Sequence, residues 1–268
     1  MSATQRGRGR PREAGSNTAT AKVLEKGLIV LKELAKHEGI SLHDLALDLD
    51  WPQSTVHRLL DTLGGQGFVT QSKLDSTWSI GVECFRVGAS FPRAAKLMDL
   101  ARPILRNLSQ ETGETANLGI LDKRDVVFIA QHETDHAIRA FFRPGTRASW
   151  HASGIGKAIA ASLPLDQRLM LFKSVSYDRF TDVTLTERAE FESEFILIRE
   201  RGIAIDNEER FEGMRCIAAP VYGATGEVIA GISISGPVAR VRDETLEPLI
   251  KSTRIAAFHL SKGLGART

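Results

Sequence analysis

Trp51-Pro52-Gln53-Ser54-Thr55-Val56-His57-Arg58-Leu59-Leu60-Asp61-Thr62-Leu63, followed by Gly64-Gly65-Gln66-Gly67-Phe68-Val69, decides how the first folded unit is read. Pro52 has a helical φ built in and lacks only an N–H that a first turn does not use, so it opens a helix running to about Leu63. Val56, Leu59, Leu60 and Leu63 recur at the three- and four-residue spacings of one inward face. Gln53, Ser54, Thr55, His57, Arg58 and Asp61 are left on the other, and the glycines end the helix.

Upstream, Val23, Leu24, Leu28, Leu31, Leu34 and Ala35 form an amphipathic pattern over residues 22–37, with Thr20 available as its cap. Ser41-Leu42-His43-Asp44 has the form of a capping box for a short second helix through Leu45, Ala46 and Leu49. Downstream, 68–71 and 77–80 alternate about a polar turn and read as a hairpin. Three short helices followed by a hairpin make a winged helix over residues 20–80. Its third helix, about 20 Å long, fits the major groove with its polar N-terminal turn toward base edges. Arg58 suits guanine or phosphate, Ser54 and Thr55 suit phosphates, and Gln53 suits adenine. His57 is read either as a base contact or as a half-exposed structural residue. A protein-binding module is the alternative for the whole unit, because residues 13–80 hold six basic against nine acidic side chains.

The compensating charge lies in the first twelve residues, where Arg6, Arg8, Arg10 and Arg12 stand without an acid. With the Gly/Ser/Asn/Thr stretch after it, this segment is expected to form a disordered basic arm over residues 1–19. Arg8-Gly9-Arg10-Pro11 resembles an AT-hook, in which arginines on an extended backbone enter an A·T-rich minor groove; Arg8, Arg10 and Arg12 are its candidate contacts, and a merely solvated tail is the alternative. The full 268 residues carry 35 Lys+Arg against 33 Asp+Glu and are 42% hydrophobic, which are globular proportions for two domains. No apolar run reaches the roughly 18 residues of a membrane span and no signal segment opens the chain, so a cytoplasmic protein is expected. Cys84 and Cys216, far apart and outside any C-x-x-C, are expected to be free thiols.

Residues 81–94 read as a linker helix whose apolar residues need a partner. Beyond it, strands are expected at 115–121, 126–132, 137–143, 203–206, 215–222 and 227–235. Helices are expected at 96–111, 154–162, 165–173, 185–201 and 244–262, with Thr184, Glu187 and Asp243 as starts and Gly202 as a stop. Tight turns at 122–125 and 223–226 make the paired strands antiparallel, so residues 95–268 are an α+β domain with a six-stranded antiparallel sheet.

Three motifs bear on chemistry. His132-Glu133-Thr134-Asp135-His136 satisfies H-E-x-x-H, the pattern of a zinc hydrolase when it lies on a helix, but here it joins two strands. Gly154-Ile155-Gly156-Lys157 lacks both the leading glycine and the following Ser/Thr of a phosphate loop; what remains is a helix start, capped by Ser153, that suits a carboxylate. Neither Cys216 nor Ser153 with His151 is set on a nucleophile elbow, so binding without turnover is favoured and no catalytic residue, metal or cofactor is assigned. Ser233 and Ser235 share one strand face beside Cys216. Trp150, Ile155 and Met214 are candidates for an apolar wall.

The string 54–60, with Ser41-Leu42-x-x-Leu45-Ala46 before it and Gly67-Phe68-Val69 after, resembles the DNA-binding domain of IclR-family bacterial transcriptional regulators. The resemblance continues through 111–115, His151-Ala-Ser-Gly154, Gly156-Lys157-Ala158 and Arg215-Cys-Ile-Ala-Ala-Pro220. It implies a GAF-like effector domain and a linker helix used in dimerisation. It further implies a homodimer, or a dimer of dimers, on a pseudo-palindromic duplex operator. Members sensing glyoxylate or pyruvate contact the effector at positions matching Asp206, Cys216, Ser233 and Ser235 and at backbone N–H groups matching Gly154 and Ile155. A small 2-oxo acid is therefore the expected ligand, glyoxylate first and pyruvate second. An aromatic carboxylate or a semialdehyde is the alternative, and a hydrolase using His132 and His136 the remote one. Asp206 is awkward in such a site, since its charge repels an acid unless it accepts a hydrogen bond.

Overall fold

Helix α1 (Asn17–Leu34) begins earlier than its apolar spacing predicts, so Thr20 lies inside it and not at a cap. The computed structural model describes residues 17–90, 92–173 and 177–266, and the arm arginines Arg8, Arg10 and Arg12 lie outside them. Helix α2 (Leu42–Leu49) starts as its box predicts: Ser41 Oγ accepts the Asp44 N–H at 3.1 Å and donates to the Asp44 carboxylate at 2.7 Å. Helix α3 (Gln53–Gly65) takes in Gly64 and Gly65 before it ends. Strand β1 (Val69–Gln71) pairs antiparallel with β2 (Trp78–Ile80), and α4 (Val82–Ala89) follows. Val30, Leu34, Leu45, Val56, Leu60, Val69 and Trp78 close the core of this unit, which ends at Pro92.

The second unit runs from Arg93, the second residue of its first helix. In order it contains α5 (Pro92–Thr112), β3 (Thr115–Asp122), β4 (Asp125–His132), β5 (Arg147–Ser149), α6 (Gly154–Ser162), α7 (Leu165–Phe172), α8 (Arg188–Arg201), β6 (Ala204–Asn207), β7 (Met214–Tyr222), β8 (Val228–Pro237) and α9 (Leu246–Gly263). The strands form one antiparallel sheet in the order β5-β4-β3-β8-β7-β6. Alternation along β7 and β8 sends Ile217, Ala219, Val221, Ile232 and Ile234 to a core shared with Leu97, Ala101, Leu105 and Leu108 of α5 and Ala256, Ala257 and Leu260 of α9. The opposite face packs on α6 and α8 through Ile155, Ile159, Phe191 and Phe195. The result is three layers with the sheet in the middle.

Two sequence expectations are corrected. Residues 137–143 are not a strand; the sixth strand is Arg147–Ser149, after a turn in which Gly145 adopts φ 92°. The 137–143 segment is instead held by its carbonyls, Ala140 accepting from Thr115 Oγ1 at 3.0 Å and Ile138 from Arg240 Nη2 at 2.9 Å. Helix α8 is capped by Glu187, whose side chain and that of Glu190 cap reciprocally, while Thr184 Oγ1 donates to the Glu209 carbonyl at 2.7 Å and pins a distant loop. Gly202 does stop the helix, at φ 67°.

Candidate functional site

Register assembles one face of the sheet into a cavity. Asp206 pairs with Cys216, Cys216 with Ser235, and Ala218 with Ser233, so these side chains line up across β6, β7 and β8 on the side that faces α6. Gly154 brings the start of α6 onto this row; a Cβ there would stand 3.0 Å from Cys216 Sγ and 3.3 Å from the Ala218 Cβ. The space, about 40 Å³ and partly open to solvent, is lined by Gly154, Ile155, Asp206, Cys216, Ser233 and Ser235 together. Ser153, Met214, Phe128, Phe142, Arg210, Phe211 and Arg215 line it as well. Such a space holds about three water-sized groups, the scale of a two- or three-carbon acid.

Its lining is rich in donors. Ser233 Oγ is fully buried and faces the Cys216 thiol, with no nitrogen or oxygen partner among the described residues, while Ser235 Oγ accepts from Asn117 Nδ2 at 3.3 Å. Burial, reinforced by the nearby Asp206 charge, pushes the Cys216 thiol up to about 11, so it enters the site as S–H. Ser153 Oγ caps Gly156 N–H at 3.4 Å, leaving the Gly154 and Ile155 N–H groups at the first turn of α6, where an anion is favoured. Phe128 and Phe142 stack at 4.4 Å to form an apolar wall with Ile155 and Met214. Trp150, expected in that wall, sits elsewhere, buried among Phe172, Tyr177, Phe191 and Phe195.

Beneath the wall lies a charge cluster that the sequence reading missed. Lys157, 1% exposed, donates to the Ile205 carbonyl at 2.7 Å and to the Glu209 carboxylate, and stands 3.6 Å from Glu194. Asp206 Oδ1 accepts the Glu209 N–H at 2.9 Å. Burial raises Asp206 to about 6 against the pull of Lys157, and burial likewise raises Glu209 to about 7. The awkward Asp206 thus acquires a structural task, tying the turn 206–210 to the sheet.

The rival chemistries lose their geometry. His132 ends β4 and His136 lies in the following loop, not one helical turn away, and Glu133 is paired with Arg139 at 2.7 Å. Among the described residues the group of side chains with metal-ligand spacing is Glu33, His37 and Asp48, which excludes both motif histidines. His151 Nε2 sits 3.0 Å from the Asp178 carbonyl, and no hydrogen bond joins it to Ser153 or Cys216 among the described residues. Cys84 and Cys216 are free thiols, and none of the described helices is long and apolar enough to cross a membrane.

On α3, Gln53, Ser54, His57 and Arg58 are exposed and Thr55 half-buried. Arg58 makes no ion pair within the described residues, whereas His57 Nδ1 is 2.9 Å from Asp61 and Gln53 Nε2 is 2.7 Å from His43 Nδ1.

Comparison with known proteins adds independent findings. The model of the IclR helix-turn-helix domain matches residues 23–73, and that of the bacterial transcriptional regulator IclR C-terminal domain matches residues 92–262. The HTH-type transcriptional regulator BhcR of Paracoccus denitrificans (strain Pd 1222) is 45% identical over 100% of this chain and 98% of its own length. The transcriptional repressor IclR of Escherichia coli (strain K12) is 38% identical over 88% of each chain. The crystal structure of the Thermotoga maritima IclR superposes with a TM-score of 0.76 at 27% identity, covering 91% of this chain and 99% of that one.

Proposed function

The chain belongs to the IclR family of bacterial transcriptional regulators, DNA-binding proteins with a C-terminal effector domain and not enzymes, and on that premise we propose that its cavity binds a small 2-oxo acid, glyoxylate foremost and pyruvate second. One observation carries the reading: six residues named from the sequence, spread from Gly154 to Ser235, line a single space of about 40 Å³. That size suits a two- or three-carbon acid. Hydroxyls, a protonated thiol and helix-start N–H groups offer a carboxylate and a carbonyl more donors than acceptors.

The same reading assigns DNA contact to α3. Arg58 reads guanine or clamps phosphate, Ser54 and Thr55 hold phosphates, and Gln53 and His57 reach bases after leaving His43 and Asp61. Arg8, Arg10 and Arg12 extend the grip into the minor groove. A homodimer, or a dimer of dimers, sets two copies of α3 on a pseudo-palindromic operator.

Calorimetry of the full chain with two- to four-carbon oxo acids, paired with promoter-fragment binding followed by fluorescence anisotropy, tests both halves. Glyoxylate should bind and shift operator affinity. A chain that keeps its promoter but ignores every acid overturns the ligand, and retention of no promoter fragment overturns the DNA assignment. Deleting residues 1–12 should weaken operator binding and flatten its salt dependence by about 0.9 log units per lost phosphate contact.

A further inference from the structure

An acid entering this cavity brings a negative charge to a wall that already holds Asp206. Electrostatic complementarity asks for a cation, and three come near. Lys157 lies beneath the wall and is committed to Glu209, to Glu194 and to the Ile205 carbonyl. Arg215, in the wall, is held by Asn207 Oδ1 at 2.7 Å, by Asp243 Oδ1 at 2.8 Å and by the Val241 carbonyl at 3.0 Å.

Arg210 differs from both. It lines the cavity and is half-buried, yet it forms none of the ion pairs among the described residues. Its guanidinium is seated 4.0 Å above the Phe180 ring and 5.5 Å from that of Phe211. Stacking occupies the face of a guanidinium and leaves its edge N–H groups free for a bidentate carboxylate. The backbone is equally prepared. The Asp206 carboxylate accepts the N–H groups of Glu209 and Arg210, so the residue is carried on a turn fastened to the cavity wall. A stacked, tethered arginine has little rotamer freedom left to lose on meeting an anion.

Resting on the reading of this cavity as an acid site, we propose that Arg210 is its specificity-determining cation, presenting the edge of its guanidinium to the ligand carboxylate. The helix start shares the carboxylate, and the serines and the thiol then face the carbonyl end. Lysine at this position supplies charge without the fork, and glutamine supplies hydrogen bonds without charge.

Titration calorimetry on the full chain, with glyoxylate, pyruvate and the uncharged methyl pyruvate as probes at low and high salt, decides the matter. Arg210→Gln should weaken both acids by about 10-fold or more and flatten their salt dependence, while leaving methyl pyruvate as in the wild type. Arg210→Lys, which restores the charge without the fork, should recover the salt dependence and only part of the lost affinity for the acids. Melting curves coincident with the wild type establish that both variants fold. Acid affinity unchanged in Arg210→Gln, or an equal loss for methyl pyruvate, overturns the clamp while the cavity reading stands. A wild type that binds neither acid overturns the cavity reading and the clamp with it.

Discussion

Ser233 sits fully buried with a hydroxyl that, among the described residues, meets only the weakly bonding Cys216 thiol. A buried unsatisfied group costs free energy, so Ser233→Ala should leave stability unchanged or raise it by up to about 1 kcal/mol in urea unfolding. If the cavity takes glyoxylate, the same substitution should weaken its binding by about 10-fold, because the ligand offers the hydroxyl a stronger partner than the Cys216 thiol does. Asp206 and Glu209 give a second test. Raised to about 6 and about 7 from 3.8 and 4.5, both hold their protons longer folded than unfolded. Their contribution to stability is therefore complete in acid and lost as pH rises through 6 and 7. Between about pH 4 and 7 the unfolding free energy should fall relative to Asp206→Asn and Glu209→Gln, by about 1 to 3 kcal/mol, and parallel curves would refute the assignment. Ser233, Ser235 and Cys216 were legible in the sequence because period-two alternation fixes their common face. Lys157 and Glu209 were not, since a partner 52 residues away leaves no local mark. Arg210 was equally silent, one basic residue in a polar turn until Phe180 is brought beneath it.

At the scale of elements, α6 meets its neighbour with no clearance: a Cβ on Gly156 would lie 2.1 Å from the Trp150 carbonyl oxygen. Backbone cannot yield as a side-chain tip does, so Gly156→Ala should cost about 1 to 3 kcal/mol in urea unfolding and loosen the ligand site along with the helix. Elements with strong periodicity, such as α3, β7 and β8, matched their sequence expectation within a residue or two. Residues 137–143 did not, because Ile138, Phe141 and Phe142 carry the composition of a strand while tertiary contacts decide otherwise. Phe142 stacks on Phe128 and the carbonyls of Ile138 and Ala140 are taken by Arg240 and Thr115, so the segment roofs the cavity and the sheet is completed by 147–149. Thr184 misled for a related reason: its hydroxyl serves the Glu209 loop, and Glu187 caps the helix.

For the molecule as a whole, thermodynamic reciprocity constrains how its two activities combine. If glyoxylate changes operator affinity, operator must change glyoxylate affinity by the same factor, about 5- to 150-fold for typical couplings. Calorimetry with and without operator duplex should return the factor that anisotropy returns with and without glyoxylate; unequal factors would mean that the two sites are not linked through one pair of states. Cys216 sets a further boundary on what such a regulator reports. With its thiol pushed up to about 11, only about one molecule in 10⁴ is a thiolate at pH 7. Peroxide and soft electrophiles attack thiolates, so Cys216 should form a sulfenic acid only slowly, and an acid bound beside it would meet an unmodified thiol.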